Sequence, residues 1–244
     1  MRSAIRGVWS MLHQEDIVHN VMTSMLRSDP PQARYKKSLD MTPILTLLKS
    51  WGPNANLSLE QIRAKAMILM RICSLSRSDD LAKIPFSSVQ ISAQKKMTYQ
   101  IVQPKDSNHV EEGYMLPYSG EEQVLCPVEA VRTWIEKSTH LPSQPNRSLF
   151  ISLKPPFKNL SAQRIAKVVK ETMQQAGIDT ELWKAHSLRG SSASKAAAQG
   201  AKVDELFKLA RWSSYQTFQK FYFRSQRLLN MADLLFSNPS PGDL

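Results

Sequence analysis

Two arginines and a histidine stand where a cation needs an anion. Arg77 lies in SLSRSDDL, between two serines at the exit of a strongly apolar segment, with Asp80 three positions on. A guanidinium leaving an apolar helix requires a carboxylate or another anion, and Asp80 is placed to hold it. His186 and Arg189 form H-S-L-R, and an i, i+3 pair shares one helix face, so both heads can reach one ligand. Near a helix N-terminus, imidazole, guanidinium and open backbone N–H groups together make an anion site. Gly190 and the small residues Ser191, Ser192, Ala193 and Ser194 let another backbone come close. Each piece has a plain alternative: a capping ion pair for Arg77, a surface pair for His186 and Arg189.

Lys105, in QIVQPKDSNH, follows an alternating apolar segment. It is expected on a hairpin tip, where a long flexible cation reaches out from a sheet; a solvated turn lysine is the plain alternative. Lys95 and Lys96 compete with it but sit at the start of the strand. Further on, WSSYQTFQKFY begins at Trp212 and ends at Tyr222. Phe218, Phe221 and Tyr222 recur at helical offsets, as on the buried face of an amphipathic helix. A tyrosine on such a face is more often a packed ring than a nucleophile.

The elements that must position these groups are legible in outline. Ile44, Leu45, Leu47, Leu48 and Trp51 make a helical stripe that ends at Gly52-Pro53. Ser58 and Gln61 form a capping box that opens a helix apolar nearly all round, which belongs in the middle of a domain. Three β-segments follow, SVQISA, MTYQIVQ and GYMLPY, and read as a small antiparallel sheet. Pro127 then starts a helix, Ser161 caps another that stops at Gly177, and AHSLRGSSASKAAAQG stops at Gly200. VDELFKLA, the Trp212 stretch and a last amphipathic helix around Leu228 to Phe236 close the chain. The predicted fold is mainly α with a small three-stranded antiparallel β-sheet on its flank. Residues 1–38, a short helical piece (Ile5 to Leu26) and a basic linker, are expected to stand apart from a domain over 39–244.

Composition narrows the partners. Lysine plus arginine number 32 against 21 aspartate plus glutamate in 244 residues, a net charge of +11. Such an excess favours a polyanion, nucleic acid before membrane, since no lysine-rich helix has a broad lipid-facing side. No apolar run approaches the ~20 residues of a membrane helix. His13, Gln14, Glu15 and Asp16 break the N-terminal stretch that a signal peptide needs. Cys73 and Cys126 lack metal-ligand spacing and are expected as small buried hydrophobes in a reducing compartment. The expected location is the nucleus of a eukaryote, otherwise the cytoplasm, and not outside the cell.

In this order, from about Arg34 to Leu235, these stretches resemble the catalytic domain of tyrosine recombinases, the phage-integrase superfamily. Arg77 with Asp80 looks like the family's first arginine and the acidic residue after it; Lys105 looks like its sheet lysine. His186 and Arg189 are similar to its HxxR box, Trp212 to its later His or Trp position, and Tyr222 to its nucleophile. The finer texture looks most like the recombinases of DIRS-like and Ngaro-like eukaryotic retroelements, with a Trp-x-x-x-x-Thr-Phe core ahead of the tyrosine. This sequence departs from the commoner pattern at Gly190, at Ala210-Arg211-Trp212 in place of Leu-Gly-His, and at Tyr222, one position later than the frequent spacing, which Phe221 occupies.

The resemblance implies a site-specific enzyme that cleaves and rejoins double-stranded DNA through a 3′-phosphotyrosyl link, without metal or cofactor, assembled as a homo-oligomer on the DNA. It assigns Arg77 and Arg189 to the non-bridging phosphate oxygens, a bidentate task that suits guanidinium better than ammonium. His186 donates to an oxygen or takes the phenolic proton, Trp212 donates through its indole N–H, and Lys105 is general acid to the leaving 5′ oxygen. The alternative is a catalytically inactive or truncated DNA-binding relative, because such enzymes carry a helical core-binding domain for which 1–38 leaves little room. An RNA-binding protein is disfavoured, since Tyr99, Tyr114 and Tyr118 are too sparse for a stacking platform.

Overall fold

The computed structural model describes residues 38–102, 110–142 and 144–212. The expected helices at Ile5 to Leu26 and Leu228 to Phe236, together with Lys105, Phe218, Phe221 and Tyr222, lie outside the described residues. Elements are numbered within them.

Helix α1 (Thr42–Ser50) has proline in its first turn, buries Ile44 and Leu48, and gives way to Gly52 at φ +78°. Helix α2 (Leu59–Ser74) opens on the expected capping box: Ser58 Oγ accepts from the Gln61 N–H at 3.2 Å, and Gln61 Oε1 accepts from the Ser58 N–H at 3.1 Å. Its middle, from Ala64 to Arg71, is buried without interruption. It packs against α4 (Pro127–Ser138), α5 (Ala162–Gln175), α6 (Ser187–Ala198) and strand β3 (Val110–Met115), so it is the central helix its apolar circumference demands. The short α3 (Ser78–Ala82) leaves its C-terminal end and rests on α5. Trp134 on α4 is fully buried, with its indole N–H on the Leu149 carbonyl at 2.8 Å. Helices α5 and α6 are followed by Gly177 at φ +77° and Gly200 at φ +98°, the left-handed exits that glycine accepts freely. Helix α7 (Val203–Leu209) comes last.

The sheet is antiparallel in the order β1-β2-β3, with β1 Gln90–Ile91, β2 Met97–Val102 and β3 Val110–Met115. Alternate residues Met97, Tyr99 and Ile101 of β2 are buried. Gly113 stands opposite Tyr99, and a Cβ there would overlap the Tyr99 ring, so glycine is what lets the ring cross the sheet. Two boundaries differ from the sequence pattern. Strand β1 is shorter than SVQISA, and β3 begins at Val110 and stops before Leu116-Pro117, because Val110, Glu111 and Glu112 are drawn into the ladder opposite Val102, Ile101 and Gln100.

Among the described residues two apolar clusters result. The larger spans α1, α2, the sheet, α4 and α5; the smaller contains Leu75, Ala193, Leu206, Ala210 and Trp212. Cys126 is buried as expected, whereas Cys73, on the last turn of α2, is exposed. Among the described residues no helix is long and apolar enough to cross a membrane.

Candidate active site

The site begins where α2 ends. Ser74 Oγ donates to the Met70 carbonyl at 2.7 Å and lies 2.7 Å from Ser76 Oγ. Leu75 then takes a left-handed conformation, φ +51°, with its side chain buried in the smaller cluster. That conformation costs a non-glycine residue about 1–2 kcal/mol, less than a buried leucine returns. The reversal turns the chain out, and Arg77 follows in extended backbone at the start of α3. Asp80 grips the main chain here: its Oδ2 accepts the Arg77 N–H at 2.7 Å. The Arg77 side chain is exposed, and among the described residues it makes no ion pair, so its charge is open to an incoming anion. Asp80 therefore fixes Arg77 through its backbone instead of its guanidinium.

His186 and Arg189 share the start of α6 but not an environment. His186 occupies the N-cap position and is exposed. Arg189, one turn in, is only 2% exposed. Its Nη2 donates to the Ala210 carbonyl, and its guanidinium carbon lies 4.7 Å from the centre of the Trp212 ring. Trp212, 5% exposed, also neighbours Phe207, whose ring centre is 6.4 Å away. The indole thus lies against the Arg189 guanidinium, a cation–π contact between two buried groups.

Two further arginines tie these pieces together, and the sequence reading placed neither in the site. Arg71 is buried on α2; its Nη1 donates to Ser78 Oγ at 2.7 Å and its Nη2 to the Ala185 carbonyl at 3.0 Å. One guanidinium therefore joins the residue after Arg77 to the residue before His186. Burial lowers its pKa to about 10, with the Asp80 charge pulling the other way, so it stays protonated at neutral pH. The one available signal was an arginine in an otherwise apolar helix. Arg211 has φ +54° and pairs with Asp80 and Glu111. Its signal was a charged residue in place of a turn glycine.

The structure thus gathers the segments bearing Arg77, His186, Arg189 and Trp212 through Arg71, Arg211 and the bond from Arg189 to Ala210. Lys105 belongs to the connection between the paired strands β2 and β3, outside the described residues, as is Tyr222. The competing lysines are engaged elsewhere: Lys95 pairs with Glu129 at 3.0 Å, and Lys96 lies 5.7 Å from the centre of the Tyr114 ring. Among the described residues no group of His, Cys, Asp or Glu could hold a metal ion.

Residues 53–227 match the model of the phage integrase family. The chain belongs to that family. It is 22% identical over 208 residues to an integrase/recombinase xerD homolog of Selenomonas ruminantium, covering 85% of this chain and 60% of that protein. Among solved structures it is similar to the XerA recombinase (TM-score 0.59, 14% identity, 83% of this chain and 66% of the other). It is also similar to the XerH site-specific recombinase in a post-cleavage complex with a palindromic difH substrate (TM-score 0.60, 17% identity, 82% and 53%). The chain spans about 60% of the length of its curated relative. At such identities the structural likenesses establish the fold, a mainly helical domain with a three-stranded antiparallel sheet.

Proposed function

We propose that this protein is a site-specific recombinase that cuts and rejoins double-stranded DNA through a 3′-phosphotyrosyl intermediate. The observation that carries this reading is the exposed guanidinium of Arg77, without an ion pair among the described residues, anchored by its backbone and joined through Arg71 to the segment that presents His186, within a family match that runs on through Tyr222. An arginine held at its main chain and open at its head is arranged to take a phosphate.

The Tyr222 oxygen attacks the scissile phosphorus as its proton passes to a base, for which His186 is the exposed candidate. The bond to the 5′ oxygen breaks, and Lys105 supplies that oxygen's proton. Arg77 and Arg189 meet the charge that develops on the non-bridging oxygens, where preorganised donors contribute most. Trp212 keeps Arg189 in place and brings its indole N–H to the same region. The phosphotyrosyl bond conserves the energy of the broken one, so a 5′ hydroxyl can reverse the step on another strand without metal or nucleotide.

The finer assignments are part of the same proposal. The Trp212 to Tyr222 spacing and the Trp-x-x-x-x-Thr-Phe core from Trp212 to Phe218 support a place among DIRS-like or Ngaro-like retroelement recombinases, hence a mobile element and work in the nucleus. Residues 1–38 are a remnant or part of a core-binding domain, and residues 39–244 the catalytic domain with its C-terminal helix. Assembly as a homo-oligomer on DNA follows from the pairing of cuts that strand exchange requires.

The test is a nicked suicide duplex, on which the parent protein is expected to become covalently attached through Tyr222, as peptide mapping of the adduct reads. Tyr222→Phe is expected to bind the duplex and form no adduct. An adduct that survives in Tyr222→Phe overturns the nucleophile, and binding without any adduct in the parent favours a DNA-binding relative that has lost catalysis.

A further inference from the structure

Arg211 occupies a backbone conformation, φ +54°, that glycine adopts without strain and arginine does not. A strained position is kept when the side chain there does something a glycine cannot. The Arg211 side chain is 18% exposed, and it fans out in three directions. Its Nη2 lies 3.3 Å from Asp80 Oδ2 and 3.3 Å from Ser76 Oγ, while its Nε lies 3.0 Å from Glu111 Oε2. The fork of a guanidinium allows this split between two carboxylates; an ammonium, as a point charge, serves one well.

Each of those partners leads to a different part of the site. The same Asp80 oxygen accepts the Arg77 N–H at 2.7 Å. Glu111 is the second residue of β3. Trp212 follows Arg211 directly, and its ring lies against Arg189. A cation already held between two carboxylates is a poor ligand for a further anion, so its role is with the protein and not with DNA phosphate.

We infer that Arg211 is a positioning residue that locks the Arg77 turn, strand β3 and the Trp212 support of Arg189 into one geometry for the cleavage step. This rests on the reading of the site as a DNA-cleaving one.

The experiment uses the full chain as Arg211→Gly, Arg211→Lys, Glu111→Gln and the Arg211→Gly/Glu111→Gln double variant. Arg211→Gly keeps the turn without strain, and Arg211→Lys keeps a cation at the same position. Three readouts are taken: duplex affinity, the single-turnover rate of adduct formation at saturating DNA, and amide hydrogen exchange over residues 76–82 and 110–115. In Arg211→Gly, affinity is expected to change by less than about twofold while the adduct rate falls by about tenfold or more, as misplaced groups cost rate before they cost binding. Arg211→Lys should restore part of that rate, the double variant should be no slower than Arg211→Gly alone, and exchange should quicken in both segments. Weaker affinity with an unchanged rate at saturation would make Arg211 a phosphate contact and overturn the proposal. Unchanged rate and exchange would also overturn it. A parent that forms no adduct defeats the proposed function instead; exchange then decides the clamp alone, and unchanged protection in both segments rejects it.

Discussion

Lys65 is wholly buried on α2, its Nζ 3.3 Å from the Gly52 carbonyl that follows α1. Burial pushes its pKa down to about 8, because the charged form loses its hydration. The folded protein therefore releases this proton near pH 8, while the unfolded chain keeps it to about 10.4. Between those values the unfolded state binds more protons, so stability rises with pH; below them both states are protonated and the folded one carries the full cost. Lys65→Met, which keeps the volume and removes the charge, should stabilise the protein at pH 7 by about 1–3 kcal/mol and flatten the rise between pH 8 and 10. Urea unfolding at several pH values measures both. A loss of stability at pH 7 would mean that the bond to Gly52 outweighs the desolvation. The site arginines divide along the same line of burial. Arg77 and Arg189 are the same residue type, and both were legible as anion ligands. That one is exposed and the other lies buried against Trp212 was not, because burial depends on which distant elements arrive.

At the scale of elements, the end of α2 decides how Arg77 is aimed. Leu75 reverses the chain in a left-handed conformation while its side chain fills the smaller cluster beside Ala193 and Trp212. These two effects oppose each other under substitution. Leu75→Ala loses the buried side chain, about 2–5 kcal/mol, and keeps the strain. Leu75→Gly loses the same side chain but recovers about 1 kcal/mol from the backbone. Glycine is thus expected to be the milder change, the reverse of the order inside a helix, and denaturant midpoints of the two variants check it; alanine proving milder would refute the account. The helices themselves were readable, since Ser58 with Gln61, Pro127, Ser161, Gly177 and Gly200 are local signals that act locally. The third strand was readable only in its second half, Gly113 to Met115, since Val110 to Glu112 has no apolar alternation and joins the sheet only through pairing with β2. The contacts that assemble the site are of that second kind. Asp80 was recognised as a partner of Arg77, yet its bond to the main chain and its pairing with Arg211 come from the fold of α3 and the far end of α7.

For the whole molecule the question is how, under the proposed function, a charge of +11 and a local site would share the work on DNA. Affinity from phosphate neutralisation falls linearly with the logarithm of salt, each neutralised phosphate adding about 0.9 to the slope on duplex DNA. An excess spread over the chain sets most of that slope, whereas one exposed arginine sets a single unit of it. Arg77→Ala should therefore flatten the salt dependence of duplex binding by about 1, leaving the rest intact. Its thermal midpoint should stay near that of the parent, because Asp80 binds the Arg77 backbone, which alanine keeps. The covalent step, in contrast, should be lost almost entirely, since removing one preorganised donor from a developing oxyanion costs about a hundredfold or more. A titration of duplex binding across salt, paired with the suicide-substrate assay, separates the two contributions. An unchanged slope would show that Arg77 faces no phosphate in the bound state. A collapse of the entire slope would show that binding and chemistry are not divided between surface and site in this way.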